Sequence, residues 1–253
     1  MRRFVATTLL LLLASASLAA AETAQQGNLR VSFSGALKPK KLPRKGEAPI
    51  AVNIGGQIST LDGTDPPGLR ELEIAINRYG RLNPSARPSC LFDQIQPATT
   101  AYARQVCGVA RVGTGTFSAS ISIPEQSPYP SRGAVTAFNG VEGGRPVILL
   151  HIYGTEPIPT SFTLPLSIGR GSGTFGTVLR GALPSVDEHV GFVTGLSLRL
   201  EGRGRPGKPY LSAGCPAPKG FPGAVFPLVR ASFSFASGET LRSTLPRSCT
   251  ARG

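Results

Sequence analysis

The sequence predicts an all-β fold, an antiparallel β-sandwich of about eleven strands with one short helix. Two observations support this prediction. Apolar and polar residues alternate in many short stretches, and successive side chains of a strand point to opposite faces, so each stretch has one apolar and one polar face. Residues that favour turns, mainly Gly, Pro, Asn and Asp, separate these stretches from one another.

Seven stretches show the alternation most clearly. Their apolar positions are Leu29, Val31 and Phe33; Ile50, Val52, Ile54 and Ile58; Leu72, Ile74 and Ile76; Phe117, Ala119, Ile121 and Ile123; Phe162, Leu164, Leu166 and Ile168; Leu196, Leu198 and Leu200; and Val229, Ala231, Phe233 and Phe235. The stretch Val147–Tyr153 is apolar at every position except His151, which predicts a central strand covered on both faces.

Turns are predicted from short motifs between the strands. These motifs are Asp62-Gly63, Pro66-Pro67-Gly68, Asn139-Gly140 and Gly143-Gly144. Ser237-Gly238 predicts a two-residue hairpin loop between the last two strands. The helix is expected to begin at Pro97 and to end before Gly108, because proline favours the first helical position and glycine favours the end.

The N-terminus has the pattern of a secretory signal peptide. Arg2 and Arg3 precede the apolar stretch Phe4–Leu13, and the small residues Leu18–Ala21 predict cleavage after Ala21. Cleavage would leave 232 residues and lower the formal charge from +13 to +11. A retained membrane anchor is the alternative, but the apolar stretch is short for a spanning helix. No second stretch of the mature chain approaches that length, so we expect a secreted, extracellular protein without a transmembrane segment.

The mature chain, residues 22–253, is long enough for one large β domain or two small ones. We expect a single β-sandwich domain. The alternative is two small β domains divided near residues 124–132, where the segment Pro124–Pro130 contains three prolines.

Four cysteines lie in the expected exported part, and an even number in an oxidising compartment predicts disulfide bonds. Three pairings are open, and we favour Cys90–Cys107 and Cys215–Cys249 because each pair is close in sequence. Metal binding is the alternative use. No C-x-x-C motif is present and the two histidines are isolated in the sequence, so we predict neither a metal site nor a cofactor.

The strongest candidate for binding is a run of five cations in eight residues: Lys38, Lys40, Lys41, Arg44 and Lys45. Arg199, Arg203, Arg205 and Lys208 form a second, looser cluster. Cations on such loops favour an anionic partner, here an anionic polymer of the cell envelope. Nucleic acid is the less favoured partner because no aromatic residue for base stacking lies inside either run. The simpler alternative is a solvated basic loop, and the sequence does not indicate the oligomeric state.

Candidate catalytic residues each have a simpler structural explanation. Glu71 and Glu73 have the spacing of a glycosidase carboxylate pair, which is equally the spacing of a solvated strand face. Asp187, Glu188 and His189 are adjacent, so on a strand they would not share one face. His151 is expected to be a buried, hydrogen-bonded core residue. No catalytic residue is therefore predicted.

Two further motifs match known ligand sites only in part. The segment Gly171–Gly176 matches the G-x-G-x-x-G string but continues as a strand instead of a helix, which favours a hairpin loop over a dinucleotide site. Asp62 and Asp65 offer too few oxygen ligands for the EF-hand calcium pattern.

Two longer segments resemble a group of secreted β-rich proteins encoded in actinobacterial genomes. These are Phe33–Arg44 and Tyr210–Gly223, and the resemblance extends over nearly the whole mature chain. The group has no established activity, so the resemblance implies export and assigns no functional residue.

Together these patterns predict a secreted, non-catalytic β-sandwich protein that binds an anionic polymer through basic loops. The alternative is a secreted hydrolase that acts on a polysaccharide or an ester, with a site assembled from loops that are distant in sequence.

Overall fold

The computed structural model describes residues 21–122, 125, 127–157, 159–183 and 191–252. The first eight strands of this part are β1 (Glu22–Gln26), β2 (Leu29–Lys38), β3 (Lys41–Pro43), β4 (Ala48–Pro49), β5 (Ala51–Thr60), β6 (Leu69–Asn77), β7 (Gly80–Leu82) and β8 (Cys90–Leu91). They are followed by the helix α1 (Thr100–Cys107). The remaining strands are β9 (Arg111–Ile121), β10 (Tyr129–Glu142), β11 (Arg145–Gly154), β12 (Thr160–Arg170), β13 (Phe175–Ala182), β14 (Gly191–Leu200), β15 (Leu211–Ala213), β16 (Gly223–Phe235) and β17 (Thr240–Arg252).

Most strands belong to one large sheet. Its order is β1-β2-β5-β14-β9-β10-β11-β12-β13-β6-β16-β17-β3, and β8 is added by a parallel pairing with β10. A small second sheet has the order β4-β15-β7. Strands from both sides of residues 124–132 alternate in the large sheet: β5 pairs with β14, and β6 pairs with β13 and β16.

The large sheet curls until β2, near one edge, meets β16 and β17, near the other. The rings of Phe33 on β2 and Phe233 on β16 pack edge to face, with centroids 6.1 Å apart. The guanidinium of Arg247 on β17 donates to the carbonyl oxygen of Gly35 on β2, at 2.6 Å. The apolar faces of most strands, including Val31 and Leu150, line the inside of this curl and form the main core.

A second, smaller core lies on the outer face of β10 and β11. The helix α1 and the segment before it cover Phe138 and Leu149, and Ala103 and Cys107 pack against them. The strand β11 is therefore covered on both faces, as its apolar sequence predicts.

The all-β class is confirmed and the described residues contain one short α-helix, as expected, but the eleven-stranded sandwich differs from the structure. One sheet of 14 strands curls on itself where two stacked sheets were expected. The count was low because β3, β4, β7, β8 and β15 are only two or three residues long, too short to show an alternating pattern.

Three local predictions also need correction. Asn139-Gly140 is not a turn but lies inside β10, where the Asn139 amide donates to the carbonyl oxygens of Pro84 and Pro88. The helix begins at Thr100 and not at Pro97, because the Thr99 hydroxyl accepts a hydrogen bond from the Tyr102 amide and so caps the first turn. The last hairpin is present, with a four-residue connection, 236–239, in place of two residues.

Candidate functional site

Cations collect at one end of the large sheet, which we call the basic end. At this end β2, β12, β14 and β17 finish and β5, β9 and β11 begin. Six cations lie at or next to these strand termini: Lys38, Arg111, Arg145, Arg170, Arg199 and Arg252. They come from distant parts of the sequence, and the antiparallel order brings them to the same end.

The opposite end of the sheet carries acidic residues. Asp62 and Asp65 lie between β5 and β6, Glu71 is near the start of β6, and Glu156 and Glu239 lie in loops at the same end. Some charges break the pattern: Glu47, Glu142 and Glu201 lie at the basic end, and Arg30, Arg70, Arg132 and Arg242 lie toward the other. Among the described residues, cations are in excess at the basic end, whereas acids and arginines nearly balance at the other end, so the attraction for anions is concentrated at the basic end.

An open groove of about 590 Å³ lies at the basic end, beside the last residues of β14. Its cations are Arg199, Arg203, Arg205 and Lys208, the second basic cluster of the sequence. Arg203, Arg205 and Lys208 are exposed, and none of the three forms an ion pair with the residues that the structure describes. Their charge is therefore available to a ligand.

The loop that carries these cations is held closely by the backbone around it. A side chain at Gly202 would place a Cβ atom 2.3 Å from the Ile50 carbonyl oxygen, and one at Gly204 would lie 2.1 Å from that of Lys208. The Lys208 amide donates to the Arg205 carbonyl at 2.9 Å and so closes a turn. Only glycine permits this approach, which fixes the spacing between the cations.

The two acids of the groove have partners within it or beside it. Glu201 lies 3.8 Å from the guanidinium of Arg199. Glu47 pairs with Arg81 at 3.1 Å and accepts a hydrogen bond from the Ser212 hydroxyl at 2.6 Å. Arg81, outside the groove, neutralises Glu47, whereas Glu201 offsets the charge of Arg199, so Arg203, Arg205 and Lys208 supply the uncompensated charge of the groove.

The first basic run lies directly beside this groove. Lys38 is the cross-strand neighbour of Ala51, which lines the groove. Lys40 and Lys41 follow and are exposed, and Lys41 begins β3, which pairs with the end of β17. Lys45 is also exposed. The fold therefore places the two basic stretches, far apart in the sequence, at one end of the sheet.

Arg44, the one arginine among the five residues of the predicted site, makes structural contacts. Its guanidinium donates to the carbonyl oxygens of Ala217 and Phe221, both at 2.7 Å, and to that of Pro218. These hydrogen bonds hold the loop that follows Cys215. The structure thus separates Arg44 from the four lysines, whose side chains face solvent.

Both predicted disulfide bonds are present. Cys90 is bonded to Cys107, with Cα atoms 5.5 Å apart, and Cys215 to Cys249, at 5.8 Å. The first bond joins β8 to the end of α1, and the second joins the loop held by Arg44 to β17.

Glu71 and Glu73 do not form an enclosed carboxylate pair. They lie in an open hollow of about 390 Å³ on the outer face of β6, together with Arg230 and Arg242. The carboxylate of Glu73 is 2.8 Å from the Arg180 guanidinium. A glycosidase needs two carboxyl groups across a substrate cleft, whereas cations surround these two.

His151 is fully buried, as expected, but the expected hydrogen bond is not found among the described residues. Neither ring nitrogen has a partner, nor does the hydroxyl of Thr136, its cross-strand neighbour. Burial lowers the pKa of His151 because it disfavours the charged ring, the nearby Ile95 carbonyl opposes this, and the charge of Arg104 adds to it. The ring lies beneath the segment before α1, without access to a substrate.

The remaining motifs have structural roles where the structure describes them. Asp62 accepts hydrogen bonds from the amide and hydroxyl of Thr64, at 3.0 and 2.7 Å. Hydrogen bonds from Asn28 and Thr64 hold the pKa of Asp62 well below its usual range. Gly171–Gly176 forms the hairpin between β12 and β13, as predicted. Asp187, Glu188 and His189 lie outside the described residues, as do residues 1–20 of the expected signal peptide.

The sequence did not predict a broad hollow of about 1130 Å³ on the outer face of the central strands. Small hydroxyl side chains line it, among them Ser32, Ser34, Thr116, Ser118 and Ser197. They occupy the polar positions of alternating strands, so their sequence pattern is that of any solvated face.

In the described ranges no group of three or more His, Cys, Asp or Glu residues could hold a metal ion. Nor does this part of the chain contain a helix long and apolar enough to cross a membrane. Comparisons with protein-family models, with curated proteins and with solved structures find no match.

Proposed function

We propose that this protein binds an anionic polymer of the cell envelope or the extracellular space through its basic end, without catalysis. The observation that carries the proposal is the position of Lys38 beside the groove of Arg199, Arg203, Arg205 and Lys208. Cations from two separate stretches thus lie next to one another at the basic end. The predicted export and the two disulfide bonds support an oxidising compartment, where such polymers occur.

The open shape of the groove suits a chain more than a small molecule. A compact anion is usually held by converging donors in a closed pocket, whereas this groove is open and its cations follow one edge of the sheet. Such a surface can contact successive charges of an extended polymer. The hydrolase alternative has less support, since Glu71 and Glu73 lie among cations on an open face and His151 is buried.

The binding of inorganic polyphosphate and poly(glycerol phosphate) by the mature chain tests the proposal. If about five cations contact the polymer, counterion release predicts that affinity falls about a hundredfold as salt rises from about 50 to about 200 mM. A neutral polysaccharide should not bind. Duplex DNA serves as a competitor, and exclusive binding of DNA would contradict the envelope partner.

Two triple variants of equal charge separate the groove from general basicity. Arg203→Gln, Arg205→Gln and Lys208→Gln together should weaken binding at low salt at least about tenfold and flatten the salt dependence. Arg30→Gln, Arg132→Gln and Arg242→Gln, also exposed but toward the other end, should have little effect. Equal losses in both variants, or no binding of either polymer by the parent protein at low salt, would refute the proposal.

A further inference from the structure

One side of α1 and its continuation exposes apolar side chains. Tyr102, Val106 and Val109 follow one another at intervals of four and three residues, so they lie on one side, with 53%, 39% and 70% of their surface exposed. Leu91 is 52% exposed and lies beside the end of the helix, because Cys90 is bonded to Cys107. We call these four residues the apolar ridge.

The ridge has a rigid base. Ala103, Cys107 and Ala110, on another side of the same segment, are buried against Phe138 and Leu149 of the second core. The disulfide bond fixes both ends of the segment 90–107. The exposed side chains are thus held in place, and contiguous exposed apolar surface of this kind marks an interaction site more often than isolated residues do.

Cations lie next to the ridge. The guanidinium of Arg87 donates to the carbonyl oxygens of Val109, at 3.4 Å, and Arg203, at 3.0 Å. The amide of Glu201 donates to the carbonyl of Val112 at 2.8 Å, so the end of β14 runs beside the chain that leaves the ridge. Arg111, between them, is exposed. The ridge and the basic end therefore form one continuous surface.

We propose that this surface docks on a lipid bilayer that contains anionic headgroups. Valine, leucine and tyrosine side chains enter the boundary between headgroups and acyl chains, and nearby arginines attract the anionic phosphates. Four side chains offer much less than the roughly 800 Å² per partner that a stable protein interface needs. A deformable lipid surface requires no matching shape. This inference goes beyond the proposed polymer binding and does not depend on it.

Sedimentation of the mature chain with vesicles tests the inference. Vesicles of phosphatidylcholine with phosphatidylglycerol should bind the protein, and vesicles of phosphatidylcholine alone should bind it several-fold less. Leu91→Ser with Val109→Ser should weaken binding at least about fivefold. Leu61→Ser with Tyr129→Ser removes two exposed apolar side chains, at 56% and 47% exposure, from the opposite end of the sheet and should leave binding unchanged.

A spectroscopic measurement adds a direct test of insertion. The chain contains no tryptophan, so a single Val109→Trp variant reports on the ridge alone. Its emission should shift to shorter wavelength with anionic vesicles, whereas that of Leu61→Trp, at the opposite end of the sheet, should not. Polyphosphate binding should survive Leu91→Ser with Val109→Ser, which separates the ridge from the groove.

Three results would overturn the inference. These are absence of binding to anionic vesicles, equal binding by the Leu91→Ser, Val109→Ser variant and its parent, and a dimer in solution that this variant dissociates. The last result would assign the ridge to a second copy of the chain.

Discussion

His151 is fully buried, and neither nitrogen of its imidazole has a hydrogen-bond partner among the described residues. An unpaired polar group in a core costs free energy, and a charged one costs more. The ring is therefore neutral in the folded protein. The charged group that faces it is Arg104, which opposes protonation.

Stability should therefore depend on pH through His151. The folded pKa lies below the unfolded value of about 6.5, so the unfolded chain binds the proton more readily. The stabilisation is present above pH 6.5 and is lost as pH falls below it, at up to about 1.4 kcal/mol per pH unit. Urea unfolding at pH 7.5 and 5.5 measures this loss. His151→Gln should reduce the difference between the two pH values. An unchanged difference in His151→Gln would contradict the assignment.

Arg44 and Lys45 are adjacent cations with different roles. Arg44→Gln should lower the free energy of unfolding by about 1–3 kcal/mol, because its hydrogen bonds to three carbonyl oxygens are lost. Lys45→Gln should leave stability unchanged. It should reduce the slope of log affinity against log salt concentration in polymer binding by somewhat less than one. Thermal unfolding and binding titrations measure both. An unaltered free energy of unfolding in Arg44→Gln would contradict the structural role assigned to Arg44.

At the scale of the element, glycines permit the close packing of the central strands. A Cβ atom at Gly115 on β9 would lie 1.9 Å from the carbonyl oxygen of Ser197 on β14. Gly113 and Gly133, on β9 and β10, meet neighbouring backbone at 2.4 and 2.8 Å. Side chains at these positions would push the strands apart, so these glycines allow the sheet to curl.

Gly115→Ala should therefore destabilise the protein by more than about 3 kcal/mol or prevent folding. Gly108→Ala, after α1, is the matched control, because an added Cβ there meets no atom within 4 Å and the backbone φ is −56°. Its effect should stay within about 1 kcal/mol. Denaturant unfolding measures both. Equal stability of the two variants would contradict the steric explanation.

The two disulfide bonds stabilise different elements. Cys90→Ala with Cys107→Ala should cost about 3 kcal/mol, and Cys215→Ala with Cys249→Ala nearly 4 kcal/mol, because the sequence separations are 17 and 34 residues. Hydrogen exchange should increase over residues 90–110 in the first variant and over 215–222 in the second. Uniform exchange changes in both variants would show that neither bond acts locally.

At the scale of the whole molecule, cations are concentrated at one end of the sheet, the basic end. Unfolding disperses the cations of the basic end, so a polyanion that binds there should favour the folded state. Inorganic polyphosphate at about a hundred times its dissociation constant should raise the Tm by roughly 5–10 °C at low salt. The Arg203→Gln, Arg205→Gln, Lys208→Gln variant should show a much smaller rise. A Tm that does not change in the parent protein would contradict binding to the folded state.

The sequence by itself determined the strand class, the core positions and the cysteine pairing. Alternation identified buried residues such as Val31, Ile74 and Phe233. It could do so because successive side chains of a strand point to opposite faces, so the position in the strand decides which side chains face the core. Sequence proximity sufficed for the disulfide bonds, whose partners lie within one short segment or one local unit. The run of lysines from Lys38 to Lys45 was also visible without a structure.

Only the tertiary structure decided the curl, the basic end and the roles of individual cations. Asn139-Gly140 has the composition of a turn, yet the strand β10 continues through it. The side-chain amide of Asn139 donates to carbonyl oxygens of a loop that is distant in the sequence. The carbonyl oxygens that bind Arg44 are more than 170 residues away in the sequence. Strand order, which depends on pairing between distant segments, brings Lys38 beside Arg199 and its loop. Local sequence specifies which face of a strand is buried. Contacts between distant residues specify which strands are neighbours, which residues meet at one end of the sheet and where a binding site forms.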